Sequence, residues 1–178
     1  MSLRRCFNVM LLMTLVLAAS AACAPTARLS LQLASFTENY VGVSIRLESE
    51  DGNYFLAATF TPPAGHHLYS KDVPMGGLEG LGRPTLLELP AESQMKARGD
   101  LTESVPAQEP DFEPRQLLVY PAGSVTLRLP VALPSGNKWV KDEVKVTYMA
   151  CSAYQCKPPV EGKIVQVNIP GAQMVSNP

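Results

Sequence analysis

Two cysteines five positions apart, Cys151 and Cys156 in the segment TYMACSAYQCKPPVEGK, are the residues of this chain best suited to chemistry. A close sulfur pair serves as a structural disulfide, as part of a metal site, or as a dithiol that is oxidised and reduced in turn. EVKVTYMAC alternates as a strand, SAYQ makes a four-residue loop, and Pro158 and Pro159 cannot continue in a central strand. The cysteines therefore flank a tight turn, where residues facing each other across an antiparallel pair lie within reach of a disulfide. Closing so small a ring stabilises a fold by about 2 kcal/mol in the chain-entropy model, against about 3 kcal/mol for fifteen residues, so a pure staple would gain more by tying distant strands. A working dithiol asks for an exposed sulfur and an accessible thiolate. The turn supplies exposure, and the adjacent Lys157 favours a thiolate at Cys156 by charge attraction. Zinc would need two further ligands, and the only two histidines are His66 and His67. Successive side chains of an extended segment point to opposite faces, so at most one of them reaches the cysteines and no metal is expected. Staple and dithiol both stay open on these residues alone.

The histidines stand beside Tyr69 in AGHHLYSKD. Imidazole titrates near neutral pH, which invites an acid–base role; the plainer alternative is a ring packed beside Tyr69 at a strand end. No partner for such a role is visible in the sequence. There is no Gly-x-Ser-x-Gly elbow, no His-Glu-x-x-His and no phosphate loop, so hydrolase chemistry is unsupported. The carboxylates Glu103, Glu109, Asp111 and Glu113 cluster in a polar segment and suit a solvated loop.

What must position these groups is a set of short strands. Period-two alternation recurs in RLSLQLAS, VGVSIRLE, YFLAATF, TLLEL, VTLRLPVAL, EVKVTYMA and KIVQVNI, with turn signals such as EDGN, PPAG and PSGN between them. Seven or so such strands predict an all-β, antiparallel β-sandwich. Residues 71–83 are too glycine-rich for a strand, and residues 97–114 are polar, acidic and proline-punctuated. Both are expected as long loops, the second carrying Phe112.

The 178 residues, 46% hydrophobic and with a net charge of -1, suit one domain and leave no basic patch for nucleic acid. Arg4 and Arg5, an apolar run over residues 9–19 and the small residues before Cys23 read as an export signal over residues 1–23. Cys23 then becomes a lipidated terminus if the segment acts as a lipobox. Cys6 leaves with the signal, and Cys151 and Cys156 remain as an even pair that is expected to be oxidised outside the cytosol. A tether over residues 24–38, a sandwich over residues 39–170 and a tail over residues 171–178 complete the expected organisation.

VTYMACSAYQCKPPVEGKIVQV resembles the cysteine-bearing hairpin of the amino-terminal periplasmic domain of the thiol:disulfide interchange protein DsbD family: a Tyr-bearing strand, Cys, a short turn, Cys and Pro-Pro. AGHHLYSKD is similar to that family's Gly-aromatic-x-Leu-Tyr strand, and VTLRLPVAL to the strand before the hairpin; together they cover most of residues 35–170. The resemblance implies an immunoglobulin-like sandwich without cofactor. Its cysteine pair would pass reducing equivalents from a separate membrane electron donor to exported thioredoxin-like proteins. It makes Cys156 the exchanging cysteine and Cys151 its resolver, assigns Phe112 to a cap over the pair, and lines the site with Tyr69. The turn here holds four residues where the best-known members have five. With no conduit or thioredoxin domain following residue 178, the expectation is a free-standing, monomeric domain in the periplasm or on the outer face of a membrane.

Overall fold

The computed structural model describes residues 29–176. The signal, the lipidation site at Cys23 and the first part of the tether lie outside these residues. Strands β1 (Ser30–Glu38), β2 (Val41–Glu50), β3 (Asn53–Thr61), β4 (His67–Leu68), β5 (Leu86–Glu88), β6 (Lys96–Ala97), β7 (Thr102–Glu103), β8 (Val125–Ala132), β9 (Trp139–Tyr148), β10 (Ala150–Cys151) and β11 (Val160–Pro170) are followed by a short helix α1 (Ala172–Ser176). One sheet runs β1-β2-β3-β8-β6, with β7 also on β8; a second runs β11-β9-β5; and β10 and β4 form a small pair. Every strand pairing is antiparallel.

The alternating sequences bury one face each, as the pleat requires. Val41, Val43, Ile45 and Leu47 of β2 and Val125, Leu127, Leu129 and Val131 of β8 point inward from the first sheet. Val144, Val146 and Tyr148 of β9 and Val165, Val167 and Ile169 of β11 answer from the second, in one continuous core. Phe60 and Tyr148 meet across it with ring centroids 5.5 Å apart. The result is an immunoglobulin-like β-sandwich.

Three expectations change. Residues 30–38 are not tether but edge strand β1, paired with β2 through a bulge between Gln32 and Ala34. The sandwich therefore starts before residue 39, because Leu31, Leu33 and Phe36 pack against the core. The segment 97–114 is not wholly loop, since Ala97 ends β6 and Thr102–Glu103 forms β7, both on β8. The tail begins with α1, whose approach is fixed by Gly171 N–H and Ala172 N–H donating to Lys138 and Pro134 carbonyls.

Candidate functional site

The site is built at one end of the sandwich by the β10–β4 pair. Cys151 stands opposite His67 and Ala150 opposite Leu68. Alternation then divides the side chains: Leu68 and Ala150 enter the main core, while Tyr69 and Cys151 join a second cluster with Val73, Leu117 and Val119. Leu78, Phe112 and Met149 pack against this smaller cluster.

The capping loop over residues 108–119 is stitched onto the same pair. Tyr120 N–H donates to the Leu68 carbonyl at 2.8 Å, and Ser70 N–H to that of Leu118 at 2.9 Å. Gln108 and Val119 close the base of the loop by exchanging hydrogen bonds of 2.8 and 3.0 Å. This delivers Phe112 onto His67, with ring centroids 5.4 Å apart and planes 25° from parallel, while Tyr69 meets His67 edge-on at 5.2 Å. Backbone conformation matters at Gly82. Its φ is +73°, and a Cβ there would lie 2.9 Å from Leu117 and 3.1 Å from the Tyr69 ring.

Cys151 and Cys156 are joined in a disulfide with Cα atoms 4.0 Å apart. The intervening turn is held by Ser152, whose hydroxyl accepts from the Tyr154 and Gln155 N–H groups at 3.2 Å each. Lys157 N–H closes the hairpin by donating to the Ala150 carbonyl at 2.8 Å. The sulfur pair is asymmetric: Cys151 is 2% exposed, whereas Cys156 lies in an exposed run that includes Tyr154 at 97%. His67, Tyr69, Asp111, Phe112, Cys151, Ser152, Ala153 and Cys156 together line a cavity of about 550 Å³.

Of the residues singled out in the sequence, Tyr69, Phe112, Cys151 and Cys156 therefore come together. Lys157 does not line this cavity. Its ammonium sits over the Tyr40 ring, 4.6 Å from the centroid, and the neighbouring Pro158 carbonyl accepts from the Asn39 side chain at 2.9 Å. Asn39 and Tyr40, both at positive φ, form the β1–β2 turn, so the edge hairpin grips the segment that follows Cys156. Phe112 is half-buried and covers His67, but Cys156 remains exposed.

His67 is the addition that sequence reasoning left without a partner. Its partner is Cys151, distant in the chain and adjacent only through strand pairing. Burial, and then the nearby His66, hold its pKa below the ordinary imidazole value, opposed by the carboxylate of Asp111. Burial likewise raises the Tyr69 pKa, so its phenol stays neutral. Among the described residues no group of three or more His, Cys, Asp or Glu side chains is placed to hold a metal ion. A second cavity of about 520 Å³, beside Asp142, surrounds a structural cap. Its carboxylate accepts from Ser93 and from the Gln94, Met95 and Glu143 N–H groups.

Fold and site thus define an all-antiparallel β-sandwich with a disulfide at the mouth of a loop-covered cavity. No family model matches the chain, and no curated protein matches it. Among solved structures, the chain is similar to the DsbD amino-terminal domain of Neisseria meningitidis in its reduced form. Identity is 19%, the match covers 72% of this chain and 84% of that one, and the TM-score is 0.43. This is the family whose cysteine hairpin the sequence resembles. Among the described residues no helix is long and apolar enough to cross a membrane.

Proposed function

We propose that the chain is an exported thiol–disulfide interchange domain whose Cys151–Cys156 pair passes reducing equivalents to thioredoxin-like partners. One observation carries this: a single disulfide has one sulfur in an exposed turn and the other closed in beneath a capping loop. Exchange requires a partner to reach one sulfur and an internal thiol to displace that partner afterwards, and the two positions suit those two tasks. The reduced Cys156 thiolate attacks a partner disulfide, forming a mixed disulfide, and Cys151 resolves it. A separate membrane protein re-reduces the pair, and lipidation at Cys23 would hold the domain near it. Phe112 and Tyr69 shape the cavity around the reacting sulfurs.

Trapping tests the assignment. A Cys151→Ala variant expressed in its host should accumulate a thiol-sensitive adduct through Cys156, and the Cys151→Ala/Cys156→Ala double variant should not. The relay reading is lost if no adduct forms and the oxidised wild-type pair also resists reduction by a thioredoxin-fold donor.

A further inference from the structure

Resting on the relay just proposed, its resolving step raises a question of proton balance. In the first step the Cys156 thiolate attacks one sulfur of the partner disulfide. A Cys156–partner bond forms, the partner's own bond breaks, and its first sulfur departs as a thiolate. In the second, the Cys151 sulfur attacks Cys156, the internal disulfide forms, and the partner's second sulfur departs. The pair has lost two electrons and the partner disulfide has gained two. Cys151 must also lose its proton, because the thiolate and not the thiol is the nucleophile. At 2% exposure it is poorly placed to give that proton to bulk water.

His67 faces it. Residues directly opposite in an antiparallel pair hold their Cβ atoms about 4.5–5.5 Å apart, and Cys151 is the register partner of His67. The imidazole is roofed by Phe112 and flanked by Tyr69. Its Nε2 is closed to solvent and makes no hydrogen bond among the described residues. An enclosed polar atom without a partner is costly and calls for a reason. The disulfide supplies one, since neither sulfur carries a proton in the oxidised state and Nε2 has no S–H to bond. A reduced Cys151 would offer it one.

We infer that His67 is the proton acceptor of the resolving step, taking the Cys151 proton at Nε2 as that sulfur attacks Cys156 and releasing it to the departing thiolate or to water. The groups that face His67 are His66 and Tyr69 on its own segment, Cys151 on β10, Cys156 beyond it and Asp111 from the capping loop. Burial keeps the ring neutral and able to accept near neutral pH, and the Asp111 carboxylate favours the imidazolium once it forms. Tyr69, its phenol held neutral, does not compete for the proton.

Stopped-flow reaction of the reduced chain with the aromatic disulfide dithiobis-nitrobenzoate separates the steps. One coloured thiolate is released in each, the first at a rate proportional to reagent and the second independent of it. His67→Gln should leave the first phase within about twofold and slow the second about 100-fold, in the range of a lost general base. In wild type the second phase should level off once His67 is neutral. In His67→Gln it should climb about tenfold per pH unit toward the ordinary thiol range near 8.5. His67→Phe, which keeps an aromatic ring under Phe112, should behave as His67→Gln does, and the wild-type pH profile decides the matter even if both variants fold poorly. Absence of any first phase in wild type would sink the relay and this role together. Two normal phases, with rate and profile indifferent to residue 67 or a wild-type profile that tracks only the thiol, would leave the relay standing and overturn the role of His67.

Discussion

At Cys156 the sulfur sits in an exposed turn, while Cys151, bonded to it, is sealed by Tyr69, Val119, Leu117 and the capping loop. Under the proposed relay, this difference in exposure makes Cys156 the sulfur that a partner would meet first. Lys157 holds its ammonium against Tyr40 at the β1–β2 turn and does not line the cavity. The pair itself was legible because five positions separate its members and a strand–turn–Pro-Pro pattern surrounds them. His67 was not legible as its neighbour, because a strand pairing between positions far apart in the chain brings them together. Phe112 packs onto His67, and Cys156 stays exposed. Phe112→Ala should therefore expose the buried thiol selectively. In the reduced protein, alkylation of Cys151 should speed up roughly tenfold while that of Cys156 changes little, since exchange and alkylation rates follow access. Peptide mass spectrometry of timed iodoacetamide reactions reads both sites, and equal acceleration or none would remove Phe112 from the cap. The accompanying stability loss should be about 1–2 kcal/mol, below the 3–5 kcal/mol of a fully buried Phe, because the ring is half-buried.

Among the elements, the long strands could be read from alternation, since each buries one face against the opposite sheet. The two-residue strands could not. β4 and β10 are too short for a period to show, yet they are the elements that place His67 against Cys151. Nor could the bulged β1 be separated cleanly from a tether, although its leucines alternate, because its outer face carries Ser30, Gln32, Ser35 and Thr37. The glycine-rich segment 71–83 was correctly expected as a loop, and its purpose becomes visible in the packing. Gly77 and Gly82 take positive φ, the Leu78 and Leu81 backbones bond to each other at 3.0 and 2.8 Å, and Arg83 pairs with Glu161. Gly82 then lies flat against Tyr69 and Leu117, beneath the site. Gly82→Ala should cost about 1–3 kcal/mol, combining a left-handed backbone with a side chain that has no room. A shift of the urea midpoint at unchanged slope would register this, and a loss under about 0.5 kcal/mol would show that the loop is not fixed against Tyr69 as described.

For the molecule as a whole, the sandwich carries the cysteine pair at one end. Its core runs uninterrupted from Val41 to Ile169, and the second, smaller cluster beneath the capping loop is devoted to Tyr69 and Cys151. Fold class was readable because composition, turn signals and alternation all agree on antiparallel strands. Sheet order was not, because nothing local says that β8 lies beside β3 or that β5 joins β9. The Cys151–Cys156 bond closes a small ring, and its loss should remove about 2 kcal/mol of chain-entropy stabilisation, less than a bond between distant strands would. The proposed relay requires that the pair open and close while the sandwich persists. Its reduction potential tests that claim most directly, measured from the reduced fraction in dithiol buffers of known potential poised by a thioredoxin-fold protein. An exchanging pair should equilibrate at a potential less negative than about -300 mV, while a value below that, in the range of inert structural disulfides, would contradict it.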